Sequence, residues 1–341
     1  KYKQMEPAAG VTPDLFWETM TAFQKSAALK AAVDLEIVTH IGAGNENAAK
    51  IAEAAGASER GVRILCDSLT VMGFLNKNGS NYTLTAATAM FLDKRSPAYL
   101  GSAVDFILSP QQRRGFDDLT GAVKRGGSAV TGDASMDPNS EMWVTFARAM
   151  APLMFPTGQA VAEKLGIETD REIKVLDIAA GHGIYGILVA QKYPKAQIYG
   201  ADWENVLTVA QENAQKFGVA DRYHTISGDA FTSDFGTGFD VILVPNFLHH
   251  FDKETCETFI QKLDASLAKG GRIVTVEFVP NEDRISPPPE AMFSIVMLAA
   301  TPAGDAYTFS ELKTIFENAG FAHNELLELQ PMPQHLLIST R

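Results

Sequence analysis

The sequence predicts an α/β protein, with a doubly wound, mostly parallel sheet in its second half and a smaller, mostly helical part before it. Three observations carry that expectation. After Ile173, strand-like apolar runs alternate with helix-like runs, the pattern of a parallel sheet with helices on both faces. Residues 173–186, IKVLDIAAGHGIYG, read as a buried strand, a small-residue turn and a helix closed by Pro194, the corner where such sheets hold ligands. Residues 47–92 read as two short helices and a hairpin, a different and self-contained pattern.

Bulk composition sets the limits. A chain of 341 residues predicts two domains rather than one. Its net charge of −12 argues against general nucleic-acid or anionic-membrane binding, which need a basic field. Cys66 and Cys256, the only cysteines, both sit in helix-like apolar patterns, as expected of a reduced, cytoplasmic protein. No apolar run reaches the ~18 residues of a membrane span, and the opening KYKQMEPAAG has no signal-peptide core. No histidine cluster beyond His249-His250 suggests a metal.

Taken in order, Leu15, Phe16, Met20, Phe23 and Ala27 fall at helical spacing after Pro13, giving a helix to Leu35 with a wide aromatic stripe. That stripe suits a partner subunit as well as the domain's own core. Ala48, Ile51, Ala52 and Ala55 mark the next helix, and Val62, Leu65, Leu69 and Met72 the one after it. Phe74-Leu75 and Tyr82-Thr83-Leu84 flank the turn Asn78-Gly79-Ser80-Asn81, so the whole reads as a winged helix. The second helix offers only Arg60 and Arg63, offset by Glu59 and Asp67, so a scaffold or dimerisation role outweighs DNA binding. The expected division is a winged-helix domain over 1–100, a helical connector over 101–170 and a ligand-binding domain over 171–341.

In the last region strands are expected at 173–178, 197–201, 222–227, 239–245 and 272–279, with a closing pair near 324–329 and 334–339. Helices are expected at 184–193, 204–217, 253–268 and 309–319, the last opening on a capping box, Thr308 and Glu311. Gly181-His-Gly183-Ile-Tyr-Gly186 matches the dinucleotide fingerprint letter for letter. Three acids speak against a pyrophosphate there. Asp177 closes the first strand, Asp202 the second, and Asp229 follows the third. A carboxylate at the turn suits a cofactor bearing an amine and a sulfonium, Asp202 can chelate a ribose, and Asp229 can accept from an adenine amino group. S-adenosylmethionine is therefore expected ahead of NAD, with Gly181 and Gly183 forming the turn and Gly186 serving helix packing.

The motifs Leu176-Asp-Ile-Ala-Ala-Gly-His-Gly183, Gly200-Ala-Asp-Trp203, Ser227-Gly-Asp-Ala-Phe231, Asn246-Phe-Leu-His-His-Phe251, Val274-Thr-Val-Glu-Phe-Val-Pro280 and Phe146-Ala-Arg-Ala-Met150 extend this. Over residues 12–340 the chain resembles the S-adenosylmethionine-dependent O-methyltransferases of the caffeate, acetylserotonin and bacteriochlorophyllide types. That resemblance implies a class I methyltransferase fold with a Rossmann-like seven-stranded sheet and an N-terminal winged-helix dimerisation domain, hence a homodimer. It implies cofactor contacts from Asp177, Gly181, Gly183, Asp202, Trp203, Gly228, Asp229, Ala230, Phe231 and Asn246, with Phe146 and Met150 lining the cleft. It also implies His249 as catalytic base, His250 beside the acceptor and Glu277 orienting the base.

Histidine suits the chemistry, because a phenol with pKa ~10 must lose its proton to attack a methyl group at neutral pH. Phe106, Met154, Phe155, Phe293, Met297 and Leu298 form a candidate apolar acceptor pocket, which favours an aromatic or similar small molecule. Two departures from the family stand out: Ala179 and Ala180 where glycines are usual, and Ala306 where plant members carry a second glutamate, with Asp305 adjacent. C- or N-methylation of a small molecule, and a cofactor-binding regulator, are the competing functions.

Overall fold

The computed structural model describes residues 11–129 and 140–341. It divides into two compact units, one through Val104 and one from Asp105 to Arg341. Asp137-Pro138, within the expected helical connector, lies outside the described residues.

In the first unit, α1 (Asp14–Asp34) and α2 (Ile37–Gly42) precede α3 (Ala48–Ala55) and α4 (Glu59–Val71). The side chains of Asn47 and Ser58 cap α3 and α4 by accepting from Lys50 N–H and Gly61 N–H. Strands β1 (Leu75–Asn78) and β2 (Asn81–Leu84) pair antiparallel across the Gly79 turn, where φ is +59°, and α5 (Ala86–Phe91) follows. Ile37, Ile51, Val62, Cys66, Leu69 and Tyr82 make the core, so the faces marked by helical periodicity are the buried ones. Helix α1 differs. Leu15, Phe16, Trp17, Met20 and Phe23 are between 47% and 78% exposed, leaving its aromatic stripe uncovered within the chain.

Helices α6 (Ala103–Ile107), α7 (Pro110–Asp117) and α8 (Leu119–Arg125) lead into the second unit. Pro110 starts α7 at the position where a missing N–H costs nothing, and Gly126, left-handed, stops α8. The long α9 (Glu141–Lys164) continues through Pro152 and Pro156. The sheet then builds from β3 (Lys174–Ile178), α10 (Ile184–Lys192), β4 (Gln197–Asp202), α11 (Glu204–Lys216), β5 (Tyr223–Ser227), β6 (Phe239–Pro245), α12 (Lys253–Asp264), β7 (Leu267–Phe278), α13 (Pro288–Ala300), α14 (Phe309–Asn318), β8 (His323–Glu328) and β9 (Gln334–Thr340). Strand order is β5-β4-β3-β6-β7-β9-β8, with β9 antiparallel to both of its neighbours and the other pairings parallel. This is the seven-stranded sheet expected of a class I methyltransferase.

Two boundaries depart from the sequence reading. The helix expected over 253–268 stops at Asp264, and the strand expected from 272 begins already at Leu267, opposite Phe239. The register then shifts, and Gly270, at φ +78°, carries the chain through the irregularity. Residues 288–300, outside the expected helices, form α13 with Pro288 in its first turn.

The strand order reverses between β3 and β6, so a crevice opens beyond their C-terminal ends. Gly186, in the first turn of α10, allows the helix to close on β3 and β4. A Cβ there would stand 2.6 Å from Ile198 Cγ2 and 2.9 Å from Asp177 Oδ2. We expect Gly186→Ala to cost about 1–3 kcal/mol from overpacking, offset in part by helix propensity of about 1 kcal/mol. Urea unfolding of the variant measures the difference.

Candidate active site

Five strand ends converge at the crevice. Asp177 lies in β3, paired with Gly200, and Asp202 ends β4, paired with Ser227. Asp229 follows β5, the 246–251 turn follows β6, and Glu277 lies near the end of β7. The three acids that the sequence aligned are brought to one edge.

Asp177 is fully buried. Its Oδ2 accepts from Gly186 N–H at 3.1 Å, and its Oδ1 has no partner. Desolvation pushes its pKa up to about 8, with the charge of Asp202 adding to the effect. Asp202 accepts from Gly181 N–H at 2.8 Å and from Trp203 N–H at 2.7 Å, and burial raises it to about 6. No lysine or arginine pairs with either acid among the described residues. The turn itself runs left-handed at Ala179 (φ +49°), Gly181 (+56°) and Gly183 (+73°). Ala179 therefore holds a conformation that favours glycine, at a cost of about 1–2 kcal/mol. At Gly183 a Cβ would stand 2.9 Å from Ala210 and from the Tyr223 hydroxyl, whereas at Gly181 its nearest neighbours would be Ala179 O at 3.7 Å and Phe146 at 3.9 Å.

Beyond β5, Gly228 N–H donates to Asp202 O, and Asp229 Oδ1 accepts from Phe231 N–H at 2.8 Å. The Phe231 ring sits among Phe247, Phe251 and Phe259. Lys262 Nζ donates to the carbonyls of Ala230 and Ser233, pinning this loop to α12. Nothing in the spacing of the sequence marks Lys262 for that task. These residues fit a cationic adenosyl group: Asp177 Oδ1 is an orphaned buried acceptor, the acids lack a counter-charge, and Gly181 leaves room. A pyrophosphate would meet two carboxylates.

His249 and Glu277 form the most constrained pair. His249 Nδ1 lies 2.5 Å from Glu277 Oε2, and both side chains are about 95% buried, at 6% and 5% exposure. Glu277 Oε1 accepts from Leu248 N–H at 2.9 Å and His249 N–H at 3.4 Å. A carboxylate held by these donors fixes the imidazole with Nδ1–H toward glutamate and Nε2 bare. Asn246, at φ +53°, donates from Nδ2 to the Tyr185 hydroxyl, while its Oδ1 is buried without a partner.

Aromatic rings connect these groups. Phe106, Phe146, Trp143, His250, His249, Phe293 and Phe278 follow one another with centroid separations of 4.1–5.8 Å. Met154 joins through its sulfur, which accepts from Tyr185 OH and Gln334 Nε2. Met150 is buried on α9, and Met297 lies one helical turn beyond Phe293. Phe155 stands apart, because its ring stacks on Phe217 at the end of α11. His182 escaped attention as the residue between two glycines. It stacks on Phe146, accepts from Ile184 N–H through Nδ1, and is pulled down to about 4 by burial.

The segment that carries a second glutamate in plant members supports the turn differently. Asp305 Oδ2 pairs with Arg284 at 3.3 Å, and Ala306 is buried. Gly304 packs against the backbone of His249 and His250, where a Cβ would overlap the His249 carbonyl, and Tyr307 OH donates to Phe251 O at 2.6 Å.

Residues 136–322 match the O-methyltransferase domain model, and residues 17–94 match the O-methyltransferase dimerisation domain. The chain belongs to the O-methyltransferase family. A Nostoc punctiforme protein described as an O-methyltransferase is 47% identical, with TM-score 0.92 over 98% of this chain and all of that one. The 3-hydroxy-5-methyl-1-naphthoate 3-O-methyltransferase of Streptomyces sahachiroi is 24% identical over 320 residues, 92% of this chain and 91% of its own. Human N-acetylserotonin methyltransferase in complex with S-adenosylmethionine shares the fold, at 19% identity and TM-score 0.85 over 98% of this chain and 99% of that one. The protein is thus an S-adenosylmethionine-dependent O-methyltransferase with a dimerisation domain. No helix among the described residues is long and apolar enough to cross a membrane, and none of their acidic, histidine or cysteine groups is arranged to hold a metal ion.

The raised pKa of Asp177 has a measurable sign. Unfolded, this carboxyl ionises near ~3.9, while in the fold it keeps its proton to about 8. The folded state therefore binds the extra proton between those values, and the stability this confers is lost as pH rises through 8. Buried His182 and His250, pulled down to about 4 and about 3, act in the opposite sense only below ~6.5, and Asp202, raised to about 6, titrates largely below the same point. From pH 6.5 to 8.5 we expect the ligand-free protein to lose up to about 2 kcal/mol. Asp177→Asn should flatten that slope in urea unfolding at the two pH values.

Proposed function

We propose that the enzyme methylates a hydroxyl on an aromatic small molecule, with His249 as general base and Glu277 as its positioning partner. The observation that carries this reading is the buried His249–Glu277 contact of 2.5 Å, which leaves Nε2 as a proton acceptor at the crevice. The aromatic lining from Phe106 to Phe293 supports a flat, apolar acceptor. Phe155 does not belong to this pocket, since Phe217 occupies its face.

Bound S-adenosylmethionine would supply an electrophilic methyl group on a sulfonium and leave as the neutral thioether. Asp202 offers negative charge and Asp177 a carboxyl group that a cationic ligand would drive to ionise, neither with a protein counter-ion, while Asp229 and the Ala230–Phe231 loop offer an acceptor and an apolar wall for adenine. Gly181, Gly183 and Gly228 give the cofactor backbone approach, and Trp203, Phe146, Met150 and Asn246 complete its surroundings. During transfer, the hydroxyl proton moves to His249 Nε2 as the oxygen forms its bond to the methyl carbon. Glu277 stabilises the resulting imidazolium, and the hydrogen bonds from Leu248 and His249 N–H keep it from turning away. Positioning supplies most of the remaining acceleration, because the reacting atoms must lie in line.

We also infer that the first unit mediates a homodimer through α1. Its uncovered Leu15, Phe16, Trp17, Met20 and Phe23 make a contiguous apolar stripe of the kind that marks an interface. His249→Ala should lower turnover of a hydroxylated aromatic acceptor by about 10²–10⁴-fold, with affinity for S-adenosylhomocysteine retained. Steady-state assays with calorimetry of the same variant check both parts, and unchanged turnover would remove His249 as the base.

A further inference from the structure

The loop from Gly228 to Phe235 lies between β5 and β6, outside the strand ladder, and two residues of α12 grip it. Phe259 packs its ring on Phe231, with centroids 5.1 Å apart. Lys262 is three residues on and therefore shares that face of the helix. Its Nζ donates to Ala230 O at 2.6 Å and to Ser233 O at 2.7 Å. The same ammonium stands 4.3 Å from the centroid of the buried Phe235 ring, a cation–π contact.

Within the loop the chain turns back on itself. Asp229 O accepts from Thr232 N–H and Ser233 N–H, and Asp229 Oδ1 accepts from Phe231 N–H. Oδ2 is then the carboxylate oxygen with no hydrogen bond among the described residues. The Ala230 and Ser233 carbonyls flank this turn, and one ammonium ties both to α12. Lysine only donates and a carbonyl oxygen only accepts, so the roles in this tie are fixed by chemistry. Without those donors the two carbonyls would turn to water, and the turn would lose its polar hold on the helix. Desolvation lowers the pKa of Lys262, and the charges of Asp229 and Asp234 oppose that shift, so the ammonium also places positive charge beside Asp229.

We propose that Lys262 is a positioning residue for the cofactor, holding the 229–233 turn so that Asp229 selects adenine over purines lacking its amino group. The inference rests on the reading of Asp229 as the adenine acceptor. It assigns base selectivity to a residue that acts through the loop rather than by contact with the base.

Calorimetry on the full chain provides the test. The probes are S-adenosylhomocysteine and its analogue with unsubstituted purine in place of adenine, which lacks only the amino donor. Wild-type protein should bind S-adenosylhomocysteine about tenfold or more tightly than the analogue. Lys262→Met keeps an unbranched stem over Phe235 and removes every donor. Its preference should fall to near parity as its affinity for S-adenosylhomocysteine drops about tenfold or more. Lys262→Arg, which keeps donors and charge, should restore most of the preference. A general loss of packing would weaken both probes alike and leave their ratio intact, so an unchanged ratio in Lys262→Met overturns the proposal. Lys262→Gln, shorter and uncharged, gives the same reading if the methionine variant does not fold. Wild type without any preference defeats Asp229 as the adenine acceptor and the proposal with it, whereas a preference that both uncharged variants keep defeats the role of Lys262 alone.

Discussion

A carboxylate with no access to water, one backbone donor and no counter-ion stands where the strand order of the sheet reverses. Much of the local architecture follows from housing Asp177. Gly186 must be glycine so that the first turn of α10 can reach the carboxylate with its N–H, and the helix N-terminus then offers its positive end to the same group. Asp202 repeats the arrangement one strand over, accepting from Gly181 and Trp203. Both acids lie in an environment that opposes their ionisation, so a positive ligand would relieve a penalty that the empty fold carries. That is the electrostatic difference between this corner and a dinucleotide site built on the same glycine spacing.

The sheet was legible because its strands are apolar, short and separated by glycine or proline, and burial in a parallel sheet demands such runs. Asp177, Asp202 and Asp229 could be placed at one edge because parallel strands bring their C-terminal ends together. The helix expected to 268 overran Asp264 because helical periodicity continues into a strand whose pairing with β6 is irregular. Phe155 was misassigned for a different reason: helical spacing identifies a face, but α9 has crevice on one side and α11 on another. Lys262 and His182 carried no pattern at all. One acts through carbonyls 29 and 32 residues away, the other through a tautomer fixed by its own turn.

The orientation of the His249 imidazole relies on a single carboxylate and on backbone. Glu277 orients the imidazole and simultaneously accepts from the turn that bears it, so side chain and main chain are set by one group. In place of a second acid, the 301–308 segment supports the turn from behind through Gly304 and Tyr307, while Asp305 is drawn off to Arg284. Such main-chain support is indifferent to protonation, so the rear of the turn keeps its geometry over a pH range in which a carboxylate brace would weaken.

The close approach of Gly304 has an engineering consequence. Because its Cα lies directly against the His249 and His250 backbone, the 301–308 loop and the histidine turn form one mechanical part with two separate stretches of sequence. A side chain introduced at Gly304 with either stretch would press on the His249 carbonyl and disturb the turn that carries the imidazole. Altering acceptor range by loop exchange in this scaffold therefore requires both segments to travel together, with glycine retained at the point where they touch.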